Sequence, residues 1–333
     1  MVETLVRPAL RVRELSVTFT LEGRTVPAVR HVDLDVPRGE LVALLGESGS
    51  GKSVTARAIV GLAGPDAQVS ASELALGDTD LRVAGARELE ALRGPRMSLV
   101  LQDALSALNP VLTIGDQLGE LYRVHSGASR RVARERAAEL LGLVGIPDPR
   151  ARVKDYPHQF SGGMRQRILI AMAIALEPEL LIADEPTTAL DVTVQAQILD
   201  LLAALREQLD MGVLLITHDL AVVSEVADRL AVMYAGRIVE AGDADSVLAH
   251  PAHPYTEALL RSVPRLEHRG GDLFTIPGAP PDPRRVPPGC SFHPRCHRAV
   301  PACAAVRPEP AEHHGGRIVA CHEAEVLPDV RNG

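Results

Sequence analysis

The chain has 333 residues, of which 46% are hydrophobic, and a formal net charge of −8 at pH 7. This length exceeds one ordinary domain of roughly 100–200 residues, so we expect two domains or one large domain with an appendage. The negative charge disfavours a nucleic-acid-binding protein, which normally presents a basic face. No apolar run approaches the roughly 20 residues of a membrane span, and the N-terminus shows no signal peptide, so the sequence predicts a cytoplasmic protein.

Strands and helices are predicted to alternate along most of the chain. Residues 10–45 read as strands, and four continuous apolar runs have the length of strands that are buried on both faces of a parallel sheet. These runs are residues 41–45, 98–101, 180–183 and 213–216. An apolar stripe at helical spacing lies between the last two runs. Strands that alternate with helices predict an α/β fold with a mostly parallel sheet.

Two segments depart from this alternation. Residues from about 103 to 170 contain Arg-, Ala- and Glu-rich helical sequence, which predicts a helical insertion. After residue 245, prolines and histidines dominate, and all four cysteines lie in this part. We therefore predict a main domain over residues 1–245 and an irregular Cys/Pro-rich C-terminal extension over residues 246–333.

A phosphate-binding loop is predicted where the first buried run ends. Residues 46–53 fit the pattern G-x-x-x-x-G-K-[ST] between a strand and a helix-compatible run, the context that this motif requires. Its glycines let backbone N–H groups surround phosphate oxygens at a helix N-terminus. Lys52 is predicted to reach the β- and γ-phosphates, and the Ser53 hydroxyl to bind Mg²⁺. The predicted ATP ligands here are Gly46, Glu47, Ser48, Gly49, Ser50, Gly51, Lys52, Ser53 and Val54.

Two other buried runs end in polar residues with predicted catalytic roles. Asp184 is predicted to hold Mg²⁺, and Glu185 to orient or deprotonate an attacking water. Taken alone, this pair also fits an acidic N-cap before Pro186. His218 follows the run at 213–216 and is a candidate sensor of the γ-phosphate, with a purely structural histidine as the alternative.

The turn Ser161-Gly162-Gly163 opens a predicted helix, where it either binds an anion or caps the helix in the ordinary way. Together with the phosphate loop and the acidic pair, this turn resembles the signature of ATP-binding-cassette ATPases. The resemblance covers about residues 10–245. It implies a P-loop NTPase cassette with a mostly parallel sheet core, an antiparallel β subdomain and a helical insertion. It also implies ATP hydrolysis with Mg²⁺, in which the signature turn closes on the ATP held by a second cassette.

The resemblance assigns roles to further residues. Gln102 is similar to the glutamine that touches Mg²⁺ and water and borders the groove for the membrane subunits. Residues 189–191 resemble the loop that communicates across the dimer. Phe19 resembles the aromatic residue that stacks on adenine, although a Phe in an alternating strand also fits the core.

The C-terminal extension points to a subfamily. Residues 253–256 (HPYT), 276–278 (IPG) and 289–296 (GCSFHPRC) resemble the extension of oligopeptide and dipeptide permease ATPases, which nickel-uptake relatives share. Residues 102–110 also fit, except that Ala104 replaces the usual proline. The resemblance implies a peripheral subunit at the cytoplasmic face of the cell membrane, with permease subunits, a second ATPase and, indirectly, an extracytoplasmic solute-binding protein. A heterodimer of two ATPases is favoured over a homodimer, and no nucleic-acid partner is expected.

Three other functions compete with peptide import. Import of nickel or another small solute is the first alternative. Soluble mechanical ATPases of this family, used in DNA repair or translation, usually carry a long coiled coil or two cassettes, and the sequence shows neither. P-loop kinases lack a signature turn like residues 161–166 of this chain, so the sequence disfavours them.

The four cysteines form the last predicted site. Cys290, Cys296, Cys303 and Cys321 have the spacing C-x5-C-x6-C-x17-C, and cysteines of a reducing compartment favour metal ligation over disulfides. Four thiolates suit an iron–sulfur cluster, most readily [4Fe–4S]. Zinc is the rival, although its structural sites usually use C-x2–4-C pairs, and free or disulfide-bonded cysteines are the third possibility. Because nothing in the sequence places the cluster near Lys52, a structural or redox-sensing role is predicted.

Overall fold

The computed structural model describes residues 8–21, 23–102, 107–188, 190–262, 274–313 and 315–324. The strands in these ranges are β1 (Leu10–Leu21), β2 (Arg24–Val36), β3 (Leu41–Leu45), β4 (Ala67–Ser70), β5 (Glu73–Leu76), β6 (Thr79–Asp80), β7 (Met97–Val100), β8 (Leu180–Asp184), β9 (Gly212–Thr217), β10 (Arg229–Tyr234), β11 (Arg237–Asp243), β12 (Ala311–His313) and β13 (Arg317–Val319).

The helices named here are α1 (Lys52–Ile59), α2 (Ala86–Leu92), α3 (Ile114–Ser126), α4 (Arg130–Leu143), α5 (Pro149–Arg152), α6 (Gly162–Ile174), α7 (Val192–Leu209), α8 (Leu220–Val226), α9 (Ala244–Ala249), α10 (Pro254–Arg261) and α11 (Pro301–Ala305). Short 3-10 turns cover Pro157–Gln159 and His293–Arg295. No helix in the described ranges combines the length and the apolar character that crossing a membrane requires.

The chain divides into two compact units that each draw on separate stretches of sequence. The first unit contains residues 1–10, 36–41 and 76–215, and the second contains residues 11–35, 42–75 and 216–333. The predicted boundary between residues 245 and 246 divides the sequence in another way and stays a prediction.

Parallel strands form the centre of the first unit. β7 and β8 pair in parallel, with Met97 opposite Leu180 and Val100 opposite Ala183, and β9 lies on the other side of β8. Every residue of β8 is buried, as expected for a continuous apolar run covered on both faces. The predicted parallel strands of this part are therefore confirmed.

Helices α3 to α6 occupy the region where the sequence predicts a helical insertion. Thr113 and Ser129 cap α3 and α4, since each side chain accepts a hydrogen bond from a backbone N–H in the first helical turn. Gly127 ends α3 in the left-handed conformation, which glycine adopts without strain. Ile114 of α3 and Leu141 of α4 are fully buried, so the two helices enclose an apolar seam.

The second unit contains two sets of strands. In one set, the order is β2-β1-β5, and β4 pairs antiparallel with β1 so that Phe19 lies opposite Ala67. This set confirms the predicted antiparallel subdomain. In the other set, the order is β12-β13-β11-β10-β3, where β10 is parallel to β3 and antiparallel to β11. The second set is thus a mixed sheet.

The C-terminal extension contributes to the core of the second unit. Tyr255 of α10 and Phe292 lie in one apolar cluster with Leu45 of β3 and Tyr234 of β10. β13 pairs antiparallel with β11, with Val319 opposite Glu240. The prediction of an irregular extension is therefore correct only in part, because the extension also forms short helices and the two short strands β12 and β13.

Candidate nucleotide-binding and hydrolysis site

The phosphate loop follows β3 in the second unit, and each of its glycines is required at its position for a steric reason. A Cβ at Gly46 would lie 2.2 Å from the Met233 carbonyl oxygen, too close for any side chain. Gly49 and Gly51 have φ values of +79° and +109°, which residues with a side chain rarely adopt. The motif therefore reflects backbone constraints that fix this loop at the start of α1.

The polar groups of the loop suit a phosphate. Lys52 is 5% exposed, and its Nζ donates to the carbonyl oxygens of Gly46 at 2.6 Å and Glu47 at 3.0 Å. Ser50 Oγ is buried and has no hydrogen-bond partner among the described residues. A buried hydroxyl without a partner is costly, and a phosphate oxygen would satisfy it. The loop, Lys52 and the first turn of α1 therefore fit the phosphates of ATP.

The acidic pair lies in the first unit, where β8 ends. Asp184 is 2% exposed, and Glu185 has φ +50°, a strained conformation that is concentrated at functional sites. Gln102 Nε2 donates to Glu185 Oε2 at 2.8 Å, and Thr188 Oγ1 donates to the same oxygen at 3.0 Å. The structure thus brings together Gln102 and Glu185, which the sequence separates by 83 positions.

The signature turn begins α6 in the same unit. Ser161 Oγ accepts a hydrogen bond from Met164 N at 3.3 Å and caps the helix. A Cβ at Gly163 would lie 2.5 Å from Val194 Cγ1 of α7, whereas one at Gly162 would make only ordinary contact. Gly163 is therefore needed for the approach of α6 to α7. The sequence did not reveal this requirement, because the turn was interpreted either as an anion site or as an ordinary capped helix start.

Several predicted residues keep their roles as predictions. Phe19 is half-buried in β1, and His218 is exposed directly after β9. Asp191 caps α7 through a bond that its Oδ1 accepts from Val194 N at 2.9 Å. Ala104 and Ala189 lie outside the described residues.

The four cysteines lie near one another in the second unit. Cys290 N donates to the Cys303 carbonyl oxygen at 2.8 Å. Burial raises the pKa of Cys290 and Cys296, and it raises the pKa of Cys321 to about 11, with smaller contributions from neighbouring thiols. Yet no three His, Cys, Asp or Glu side chains of the described residues are arranged to hold a metal ion. The side-chain arrangement therefore does not fit the predicted iron–sulfur cluster.

Sequence reasoning also missed a contact between the extension and the phosphate loop. Arg295, which precedes Cys296, donates two hydrogen bonds to the Glu47 carboxylate at 2.7 and 3.0 Å. Nothing in the sequence predicts that the cysteine segment lies near Lys52, but this ion pair connects that segment to the phosphate loop, which contains Lys52. No spacing rule connects residues 248 positions apart, so only the charge of Glu47 hinted at a partner.

Known protein families match both parts of the chain. Residues 29–188 match the family model for ABC transporters, and residues 239–303 match the model for the C-terminal region of oligopeptide/dipeptide transporters. Over 313 residues, the chain is 50% identical to the dipeptide transport ATP-binding protein DppD of Bacillus subtilis (strain 168), covering 94% of this chain and 93% of that protein.

The chain belongs to the ABC transporter family. It is an ATP-binding subunit of the oligopeptide/dipeptide permease group. Two further relatives are DppD of Haemophilus influenzae (47% identity, 94% of both chains) and the oligopeptide transport ATP-binding protein AppD of Bacillus subtilis (45% identity, 94% of this chain and 95% of that protein).

Solved structures confirm the cassette fold of this ABC transporter ATPase. The dimeric bacterial cassette MJ0796 has a TM-score of 0.63 and 27% sequence identity. The match covers 71% of this chain and 98% of that chain. The predicted α/β cassette with a mostly parallel sheet core and an antiparallel β subdomain is therefore confirmed.

Proposed function

We propose that this ATPase hydrolyses ATP to drive the uptake of dipeptides or oligopeptides through separate permease subunits. The observation that carries the proposal is the hydrogen bond between Gln102 and Glu185, the residue that directly follows the buried Asp184. The names of the relatives DppD and AppD support peptides as the solute class. Uptake of nickel or another small solute is the competing hypothesis, and no relative reported above is named for it.

The predicted phosphate-binding, Mg²⁺-binding and catalytic residues have the following roles in this proposal. In the second unit, Lys52 and the loop N–H groups hold the phosphates, Ser53 binds Mg²⁺, and His218 stabilises charge that develops on the γ-phosphate. In the first unit, Asp184 and Gln102 belong to the Mg²⁺ shell, and Glu185 orients the attacking water. Mg²⁺, when bound, neutralises charge on the β- and γ-phosphates. No covalent enzyme intermediate is needed, because positioning and electrostatics lower the barrier of phosphoryl transfer.

The proposal extends to partners and location. Two cassettes pair head to tail, and we propose a second, similar ATPase as the partner rather than another copy of this chain. The pair docks on permease subunits at the cytoplasmic face of the cell membrane, and an extracytoplasmic solute-binding protein delivers the peptide. Residues 1–245 form the cassette in this view, and residues 246–333 form the extension.

Replacing Glu185 tests the proposed hydrolysis. Glu185→Gln should bind ATP as the wild-type chain does but lose steady-state hydrolysis by roughly a hundredfold or more, because an amide cannot take the proton of water. An amide oxygen still accepts the bond from Gln102, so the local fold should survive. Nucleotide binding and phosphate release are measured side by side, with exposed Glu207→Gln on α7 as the matched control. Normal phosphate release by Glu185→Gln would refute its role.

We also propose that Cys290, Cys296, Cys303 and Cys321 hold a [4Fe–4S] cluster, for which four thiolates are suited. Their mutual proximity supports this proposal, and their unfavourable side-chain arrangement counts against it. Anaerobic purification followed by iron, zinc and acid-labile sulfide analysis is the test, and about four irons and four sulfides per chain are expected. Stoichiometric zinc without sulfide would replace the cluster by a zinc site. A protein with neither metal would leave four structural thiols.

A further inference from the structure

Arg295 is a buried cation of the C-terminal extension, and each of its three guanidinium nitrogens donates a hydrogen bond. Nε donates to the Pro277 carbonyl oxygen at 2.9 Å, and the two terminal nitrogens donate to the Glu47 carboxylate. Nη1 also lies 3.4 Å from Tyr234 Oη. The bidentate ion pair of the guanidinium with the Glu47 carboxylate fixes the orientation of the two groups as well as their distance. A lysine ammonium cannot do this.

A second group of the extension reaches the same loop residue. Tyr255 of α10 is fully buried, and its hydroxyl accepts a hydrogen bond from Glu47 N at 3.0 Å. Its ring packs against those of Tyr234 and Phe292, with centroids 4.6 and 5.2 Å away. Since Phe292 lies between Cys290 and Cys296, the position of Tyr255 depends on the cysteine segment.

Three different groups of Glu47 are therefore held at once. Tyr255 holds its N–H, Arg295 holds its carboxylate, and Lys52 donates to its carbonyl oxygen. Glu47 occupies a variable position of the phosphate-loop motif, where the motif itself demands no side chain. Its N–H and carboxylate are thus bound by the extension, whereas its carbonyl oxygen accepts hydrogen bonds from Lys52 and from Ser50 N within the loop.

We propose that Arg295 and Tyr255 are positioning residues that fix the Glu47 peptide, so that the C-terminal extension sets the ATP affinity of the phosphate loop. Neither residue has to touch the nucleotide. Releasing Glu47 adds conformational freedom that ATP binding must then remove, which weakens affinity. This inference rests on the proposed function of the loop in binding ATP phosphates.

A double-mutant cycle on the full chain tests the proposal, with a fluorescent ATP analogue as the probe. Arg295→Gln should raise Kd for the analogue roughly tenfold in the wild-type background but less than about threefold in the Glu47→Gln background, because the two residues act as one unit. Tyr255→Phe, which removes only the hydroxyl, should also raise Kd. The exposed pair member Arg284→Gln, in the same extension, is the matched control and should bind as wild type does.

Two further measurements separate the possible outcomes. The melting temperature of the nucleotide-free chain identifies variants that fail to fold. If Arg295→Gln fails to fold, the Kd of Tyr255→Phe decides the question. Lys52→Ala tests the loop itself, and unchanged affinity in that variant would refute the proposed ATP site. Two results would overturn this inference alone. The first is weak ATP binding by Lys52→Ala while Arg295→Gln and Tyr255→Phe keep wild-type affinity. The second is an equal effect of Arg295→Gln on Kd in the wild-type and Glu47→Gln backgrounds.

Discussion

At the scale of single residues, His253 shows how burial makes one side chain sensitive to pH. It is 1% exposed, its Nδ1 accepts a hydrogen bond from Tyr255 N at 3.0 Å, and burial lowers its pKa to about 3. An unfolded histidine titrates near pH 6.5, so between these values only the unfolded chain gains a proton. The stability tied to neutral His253 is present above pH 6.5 and is lost as the pH falls towards 3.

The variant His253→Asn should reduce this pH dependence. Asparagine keeps an oxygen that caps α10 but takes up no proton in this range. Wild-type protein should lose about 2 kcal/mol through His253 between pH 7.5 and pH 5, and the variant should not. Melting temperatures at pH 7.5 and pH 5 measure the difference, and exposed His250→Asn serves as the control. An equal drop in wild type and His253→Asn would contradict the prediction.

Some residues of the candidate site have a local sequence signal and others have none, for a physical reason. Lys52 and the loop glycines were predictable because a local motif encodes the backbone that surrounds phosphate. Glu185 was a candidate because two carboxylates end a continuous apolar run. Arg295 was not, since its role depends on a contact with a residue 248 positions away.

At the scale of elements, continuous apolar runs gave the buried strands almost to the residue. β3 has the predicted bounds, and β8 extends one residue beyond its predicted run. Such strands are covered on both faces, so their whole length reads as apolar. β12 and β13 contain only three residues each, too few for a periodic pattern, and they exist because tertiary partners complete them. The extension was accordingly predicted as irregular.

At the scale of the whole molecule, one chain supplies separate parts of the proposed reaction. The phosphate loop belongs to the second unit, whereas Ser161 begins a helix of the first unit. Family resemblance predicts that Ser161 acts on ATP held by the partner cassette. The solved MJ0796 cassette, to which this chain is similar over 71% of its length, is a dimer. Cassette pairing is therefore the property of the assembly that most needs a test.

Replacing Ser161 with arginine provides that test. Ser161→Arg should leave ATP affinity of its own phosphate loop unchanged, because Lys52 and the loop are intact. It should abolish ATP-dependent dimer formation, because a bulky cation replaces a small cap where the second cassette's ATP is predicted to bind. Ser129→Arg, which removes the equivalent cap of α4, controls for loss of a helix cap. Light scattering in the Glu185→Gln background measures dimer formation, first with this chain alone and then with any second ATPase that co-purifies with it. An ATP-dependent dimer of Ser161→Arg would show that the signature turn does not act across the interface.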